Sequence, residues 1–251
     1  GKGAAHHHFV IAAAAAVAVE IRPGHAVFQQ VASGRSGLAK RAGRAANQGT
    51  VTLLVKGKRA AVLEVNCETD FVAQTDDFKN LVTDLIEQIV EKAAPGFDKD
   101  ALMSQPCLKT PAKNVSAYVT EVTAKLGENV VVKRFELIER AGEGLVGSYL
   151  HGGKVGVLIE IGCSASAAEK PEAASIAKEL AMQVAASAPK CVLSSQLPAE
   201  EVAKERAIYL AEAKQGGKPE AIQAKIAEGK LQAYYKQVCL MDQPYIREPK
   251  K

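Results

Sequence analysis

Tryptophan is absent from this 251-residue sequence, and histidine and cysteine number only five each. Four of the histidines (His6, His7, His8 and His25) crowd the first 25 residues, which leaves His151 alone in the rest of the chain. A Ser-His-Asp or Cys-His site would have to be built on that one ring, and no GxSxG places a serine on a nucleophile turn. No HExxH, no GxxxxGK[ST] and no GxGxxG after a strand is expected to build a site. The cysteines (Cys67, Cys107, Cys163, Cys191 and Cys239) are odd in number and widely spaced, without a CxxC pair. That speaks against a disulfide framework and a zinc site, and fits a reducing compartment. No cofactor is indicated. No apolar run is long enough to cross a bilayer. The nearest is Phe9–Val19 (FVIAAAAAVAV), which reads as an Ala-rich helix or a tail. The three histidines before it read as a tail, not a metal site. Charge of one sign is lacking too. Thirty-two Lys and Arg against 28 Asp and Glu give +4, dispersed along the chain, so no direct nucleic-acid partner is expected.

What is present is periodic. Residues 34–48 are small and basic, like a linker or irregular helix. From Gly49 the pattern sharpens. Val51–Val55 and Ala60–Val65 flank Lys56-Gly57-Lys58 and predict a β-hairpin. Over Asp77–Lys92, Phe78, Leu81, Val82, Leu85, Ile86, Ile89 and Val90 recur on one helical face, and Pro95-Gly96 closes that helix. Residues 97–112 read as irregular. Asn114–Leu126 predicts a second helix, buried through Val115, Val119, Val122 and Leu126 and stopped by Gly127. Val130–Ile138 predicts a strand.

The hairpin then returns. Val146–Leu150 and Lys154–Ile161 flank His151-Gly152-Gly153. At an offset of 96, Gly57, Lys58, Glu64 and Cys67 fall on Gly153, Lys154, Glu160 and Cys163. At an offset of 95, Leu81, Leu85 and Ile89 fall on Ile176, Leu180 and Val184. The register predicts an internal duplication. The fold class is therefore α+β: a duplicated core of two small antiparallel sheets packed with helices. Pro198–Lys214 and Pro219–Val238 add an antiparallel helical hairpin, each helix with proline in its first turn. Their narrow apolar seams (Val202 and Tyr209; Ile222, Ile226 and Tyr234) predict a projecting, coiled-coil-like pair. Three domains follow: a segment 1–48, a core subdomain 49–140, and a second core subdomain 141–251 carrying the hairpin at about 198–238.

One local feature stands out. Asn66–Ala73 (NCETDFVA) joins a buried strand to a strong helix and carries Phe71 in polar surroundings. Two readings stand: the ring folds back into the helix–sheet seam, or it projects as an interface anchor. Asp70 reads as a cap of the coming helix or loop. Gly127-Glu128-Asn129 reads as a helix stop with an Asx turn. His151 sits on a hairpin tip, exposed or a contact point. An enzymatic reading would require a deep pocket around it.

VLEVNCETDFVA (62–73), KLGENVVVKRFE (125–136), VGSYLHGGKVGVLIEI (146–161), AKELAMQVAASAPKCV (177–192), the helical pair 198–238 and LMDQPYI (240–246) resemble, in order, the hallmark segments of the elongation factor Ts family. The resemblance runs from about Ser36 to Ile246. It implies a non-enzymatic guanine-nucleotide exchange factor whose partner is elongation factor Tu, a GTPase, in its GDP-bound form. In the family the phenylalanine of the TDF motif enters an apolar pocket of the partner's nucleotide-binding domain and disturbs its magnesium and phosphate sites. Here that residue is Phe71, with Thr69, Asp70 and Val72 beside it. Leu126, Gly127, His151 and Gly152 match positions that face another domain of the partner. The implied compartment is the bacterial cytoplasm, with plastid or mitochondrial matrix as the alternative. No membrane association is implied. A structural subunit on a ribosome or complex, without exchange activity, is the alternative function. Two departures carry expectations of their own. Residues 1–33 lack the family's small N-terminal helical module, and the family's last strand is not found, so the second sheet should be one strand short.

Overall fold

In the computed structural model, described for residues 16–20, 44–94, 96–217 and 219–248, six strands form two three-stranded antiparallel sheets among helices, an α+β architecture. The first sheet has the order β2 (Gln48–Lys56), β3 (Arg59–Cys67), β4 (Val131–Glu139). The second has β1 (Ala16–Glu20), β6 (Val155–Gly162), β5 (Gly144–His151). Contacts divide the chain into two units, residues 1–181 and 182–251. His6, His7, His8, residues 34–43 and Pro95 lie outside the described residues, as do most of the Ala-rich run and Lys218.

Strand β3 is buried from Ala60 to Cys67 because apolar side chains occupy both of its faces. Side chains alternate along a strand, so the odd and even residues serve different cores. Ala61, Leu63 and Val65 pack against α2 (Asp76–Lys92), whose Phe78, Leu81, Leu85 and Ile89 are fully or almost fully buried. Ala60 and Val62 face the other way and meet Val51, Ile138 and Leu158, the last from the second sheet. The two sheets therefore lie face to face within the first unit. Gly156 of β6 makes this possible: a Cβ there would stand 2.7 Å from Val51 and 2.8 Å from Val62. Glu64 is buried on the same strand, and Arg134 of β4 neutralises it through a 2.7 Å ion pair. The expected helix periodicity over 77–92 is thus the one that packs, and truncating Leu81 or Leu85 to alanine should cost about 2–5 kcal/mol.

Each hairpin opens on a glycine with strongly positive φ. Gly49 and Gly144 have φ of 131° and 137°, and a side chain on either would strike a carbonyl of the strand opposite, Val65 O or Ile161 O. Helix α4 (Val115–Leu126) starts on an Asn114 cap and ends on Gly127 in the left-handed region (φ 78°), as its sequence predicts.

Four expectations are corrected. Residues 99–104 form a helix, α3 (Lys99–Ser104), whose Asp98 side chain accepts the Ala101 N–H; a six-residue turn of helix is too short to leave a period. Ala16–Val19 is strand, not helix, because pairing with β6 overrides alanine's helix preference. For the same reason the second sheet is not a strand short: β1 fills the place beside β6. Finally, Pro198 and Pro219 are N-caps and do not lie in the first turn.

In the second unit, α7 (Ala199–Gln215) and α8 (Glu220–Val238) pair lengthwise. Glu201 meets Tyr234, Arg206 meets Glu228, and Tyr209 and Glu212 meet Lys230, so the two run in opposite directions. Leu231, Tyr234, Cys239 and Leu197 form their small core. The intervening helices are α1 (Asp70–Ala73), α5 (Ala165–Ala168) and α6 (Pro171–Ser187).

Candidate functional site

Between β3 and α2 the chain makes one isolated turn of helix, α1, and Phe71 is its second residue. The ring is 82% exposed. The ring does not fold back into the helix–sheet seam. Val72 and Ala73, on the opposite side of the same turn, pack onto the core formed by β3 and α2. The turn thus has an anchored face and a free one, and the free one carries the aromatic.

The turn is fixed by hydrogen bonds at both ends. Thr69, not Asp70, is the N-cap: its hydroxyl oxygen accepts the Val72 N–H at 3.3 Å. Asp70 is exposed in the first turn, where a carboxylate favours the helix dipole. At the far end Thr75 caps α2 by accepting the Phe78 N–H, and its hydroxyl donates to Val72 O at 2.7 Å. The two helices therefore share a hinge-point with no slack residue between them.

A residue that sequence reasoning read only as part of a helix stop holds this loop from behind. Glu128 accepts the Glu68 and Thr69 N–H groups at 3.1 and 3.0 Å and the Thr69 hydroxyl at 2.6 Å. Glu68 returns the arrangement, accepting the Asn129 N–H at 2.7 Å and pairing with Arg44 at 3.5 Å. Asn129, which is buried, spends its side-chain N–H₂ on Arg44 O. Hydrogen bonds to a charged acceptor are the stronger kind, and here three converge on one carboxylate. Cys67, at the root of the loop, donates to Thr69 O. Burial first, and the Glu128 charge second, push its thiol up to about 11, so it stays protonated.

The structure therefore brings Leu126 and Gly127 to the Phe71 loop through their neighbour Glu128. Leu126 is half-buried and packs on the same core, while Gly127 is exposed. His151 and Gly152 stand on a different turn, between β5 and β6, and are exposed. His151 Nδ1 lies 3.0 Å from the Tyr149 hydroxyl. That tip is tied to the first sheet: Gly153 O accepts the Val51 N–H at 2.8 Å, and Lys154 Nζ donates to Gly49 O.

His151 thus has no enclosing pocket of the kind an enzymatic reading requires. A polar cleft of about 520 Å³ lies elsewhere, between α2 and α4. Two of its acids are paired: Asp84 accepts the Tyr118 hydroxyl at 2.5 Å and sits 3.4 Å from Lys109, and Asp77 pairs with Lys125 at 2.6 Å. One sequence expectation is corrected here: Gly142-Glu143-Gly144-Leu145-Val146-Gly147 does have the GxGxxG spacing after a strand, β4, but it runs into β5 and not into a helix, so it builds no dinucleotide cradle. Among the described residues no cluster of His, Cys, Asp and Glu could hold a metal ion, and no helix is long and apolar enough to cross a membrane.

Comparison with known proteins places this geometry in a family. The family model described as Elongation factor TS matches residues 68–251, from the capped loop onward. The elongation factor Ts of Thiobacillus denitrificans is 41% identical over 215 residues, covering 85% of this chain and 69% of that protein. That of Thioalkalivibrio sulfidiphilus is 38% identical over 221 residues (87% and 71%). That of Lactiplantibacillus plantarum is 38% identical over 210 residues (83% and 68%).

Proposed function

Since the chain belongs to the elongation factor Ts family, a family of translation elongation factors, we propose that it binds elongation factor Tu in its GDP-bound form and accelerates GDP release. The observation that carries this reading is the exposed Phe71 ring on a turn fixed at three points. An apolar ring held in water is poised to gain free energy only by entering a partner. The preformed turn means little ordering entropy is lost on docking.

The action is coupling without covalent chemistry. An exchanger that binds the nucleotide-free GTPase more tightly than the GDP-bound one weakens GDP binding by the same factor. An aromatic anchor buried in its pocket contributes on the order of 2–4 kcal/mol. Spent wholly on the nucleotide-free state, that is roughly a 30- to 1,000-fold effect on nucleotide affinity. Thr69, Asp70 and Val72 border the ring. Leu126 and Gly127, beside the Phe71 loop, and His151 and Gly152, on the β5–β6 turn, contact another domain of the GTPase. The α7–α8 pair touches the outer part of the nucleotide-binding domain.

In this reading the core is a duplication, with residues 49–140 and 141–251 as its two subdomains and residues 1–48 preceding them. The matched hairpins, each followed by one turn of helix and then a 17-residue helix, support it. The protein works in the cytoplasm of a bacterium, needs no cofactor and performs no catalysis of its own.

The test is release of a fluorescent GDP analogue from elongation factor Tu. Wild-type protein should accelerate it, and Phe71→Ala should abolish most of the acceleration while leaving the circular dichroism unchanged. Stable capture of the GTPase by the wild type with no faster release would replace this reading with that of a structural subunit.

A further inference from the structure

Cys191 and Cys239 are 48 positions apart in sequence, and the fold places their sulfurs 3.6 Å apart. The chain segments that carry them run parallel and are hydrogen-bonded to each other. Lys190 and Cys191 N–H groups donate to Val238 O at 2.8 and 3.3 Å, Leu240 N–H donates to Cys191 O at 2.9 Å, and Met241 N–H donates to Val192 O at 3.1 Å. Backbones bridged in this way lie about 4.8 Å apart, within the roughly 4.4–6.8 Å Cα separation that a disulfide spans. Closing 3.6 Å to a covalent bond needs only a small rotation of the two side chains. The scarcity and spacing of cysteine in the sequence speak against a disulfide framework, but they say nothing of one pair brought together at the base of α7 and α8.

We propose that Cys191 and Cys239 form a reversible disulfide, a thiol modification site that clips the two ends of the α7–α8 segment together under oxidising conditions. The oxidant is a low-molecular-weight disulfide such as oxidised glutathione. Cys191, the half-exposed member, attacks it as the thiolate; the glutathione S–S bond breaks, one glutathione thiolate leaves, and a mixed disulfide forms on Cys191. Cys239, buried against Leu231 and Tyr234, then attacks the Cys191 sulfur and expels the second glutathione. Two protein thiols are oxidised, one glutathione disulfide is reduced to two thiols, and the two protons given up by the protein thiols end on the two glutathione sulfurs. Burial, with Cys191 next, pushes the Cys239 thiol up to about 12, so the second step is the slow one and quickens as pH rises. Of the other three thiols, Cys67 donates to Thr69 O, Cys107 is buried in the core of the first unit, and Cys163 ends the second hairpin, where it is half-buried.

The test uses the full chain, reduced and then incubated in glutathione buffers of increasing oxidised fraction. Non-reducing peptide mapping should show Cys191 joined to Cys239, reversed by dithiothreitol, with Cys67 and Cys107 still free. Closing a loop of this length should raise the Tm by about 5–10 °C relative to the reduced form. Cys191→Ser, at a half-exposed position, should fold and lose both the link and the shift. A stable glutathione adduct on Cys191 without resolution, or a cross-link to another cysteine, would overturn the proposal. No GTPase is present in this assay, so its outcome is independent of the exchange reading.

Discussion

Two loops in this molecule leave a hairpin and enter a 17-residue helix through one turn of helix, and they differ where it matters. In the first, α1 is capped by the Thr69 side chain; in the second, α5 follows Ser164, whose side chain makes no cap bond. Their exposure runs in step: Asp70 and Phe71 are exposed with Val72 and Ala73 half-buried, and Ala165 and Ser166 are exposed with Ala167 and Ala168 half-buried. The backbone device is the same. The second position holds a phenyl ring in one and a hydroxymethyl group in the other. Their supports differ as well. The Glu128 carboxylate grips the first loop with three hydrogen bonds, and the Glu143 carboxylate reaches the second with one, from Ala165 N–H at 3.1 Å. Rigidity and a large apolar side chain occur together, and only in the loop matched to the family's hallmark.

The largest effect expected from breaking this comparison is that of Phe71→Ala, which should lower the acceleration of GDP release by roughly 30- to 1,000-fold. Glu128→Ala keeps the ring but removes its brace. Losing charge-assisted bonds worth about 1–2 kcal/mol in loop order should reduce exchange by about tenfold and speed amide hydrogen exchange at Glu68 and Thr69. Glu143→Ala in the second loop should leave GDP release within about twofold of wild type, and a tenfold loss there would show that the two loops share the work. Ser166→Phe combined with Phe71→Ala should fail to restore release, because an aromatic on the weakly held loop faces no pocket. The smallest effect concerns pH. Lys190 first, and Tyr234 second, hold the Glu201 carboxyl below its usual value by hydrogen bonds. The folded state then binds fewer protons than the unfolded one in that window, so this contribution is present above about 4.5 and is lost as pH falls through the lowered value. Glu201→Gln should flatten the acid limb of the thermal stability profile below pH 5.

The sequence shows the scaffold of the first loop better than its purpose. The seven apolar positions of α2 announce a helix, and all seven are buried. The hairpin arms and the Gly127 stop are equally plain, since local spacing and left-handed glycine leave marks in neighbouring residues. Phe71 has no such mark: an aromatic between polar residues suits either a seam or a projection, and the answer depends on which face of α1 the core takes. Glu128 is invisible for a related reason, since the N–H groups it accepts lie some sixty residues earlier. β1 misleads outright. Five residues of alanine, valine and glutamate carry a helical preference that only a distant strand can overrule.

That strand has a consequence for how the protein comes into being. Residues 16–20 pair with residues 155–159, so an early-made stretch of chain must wait, unpartnered, until the ribosome has delivered the middle of the sequence. At about 5–20 residues per second the delay is on the order of ten seconds. The first sheet, whose strands all fall between residues 48 and 139, can assemble in the meantime and offer the newcomer a finished surface.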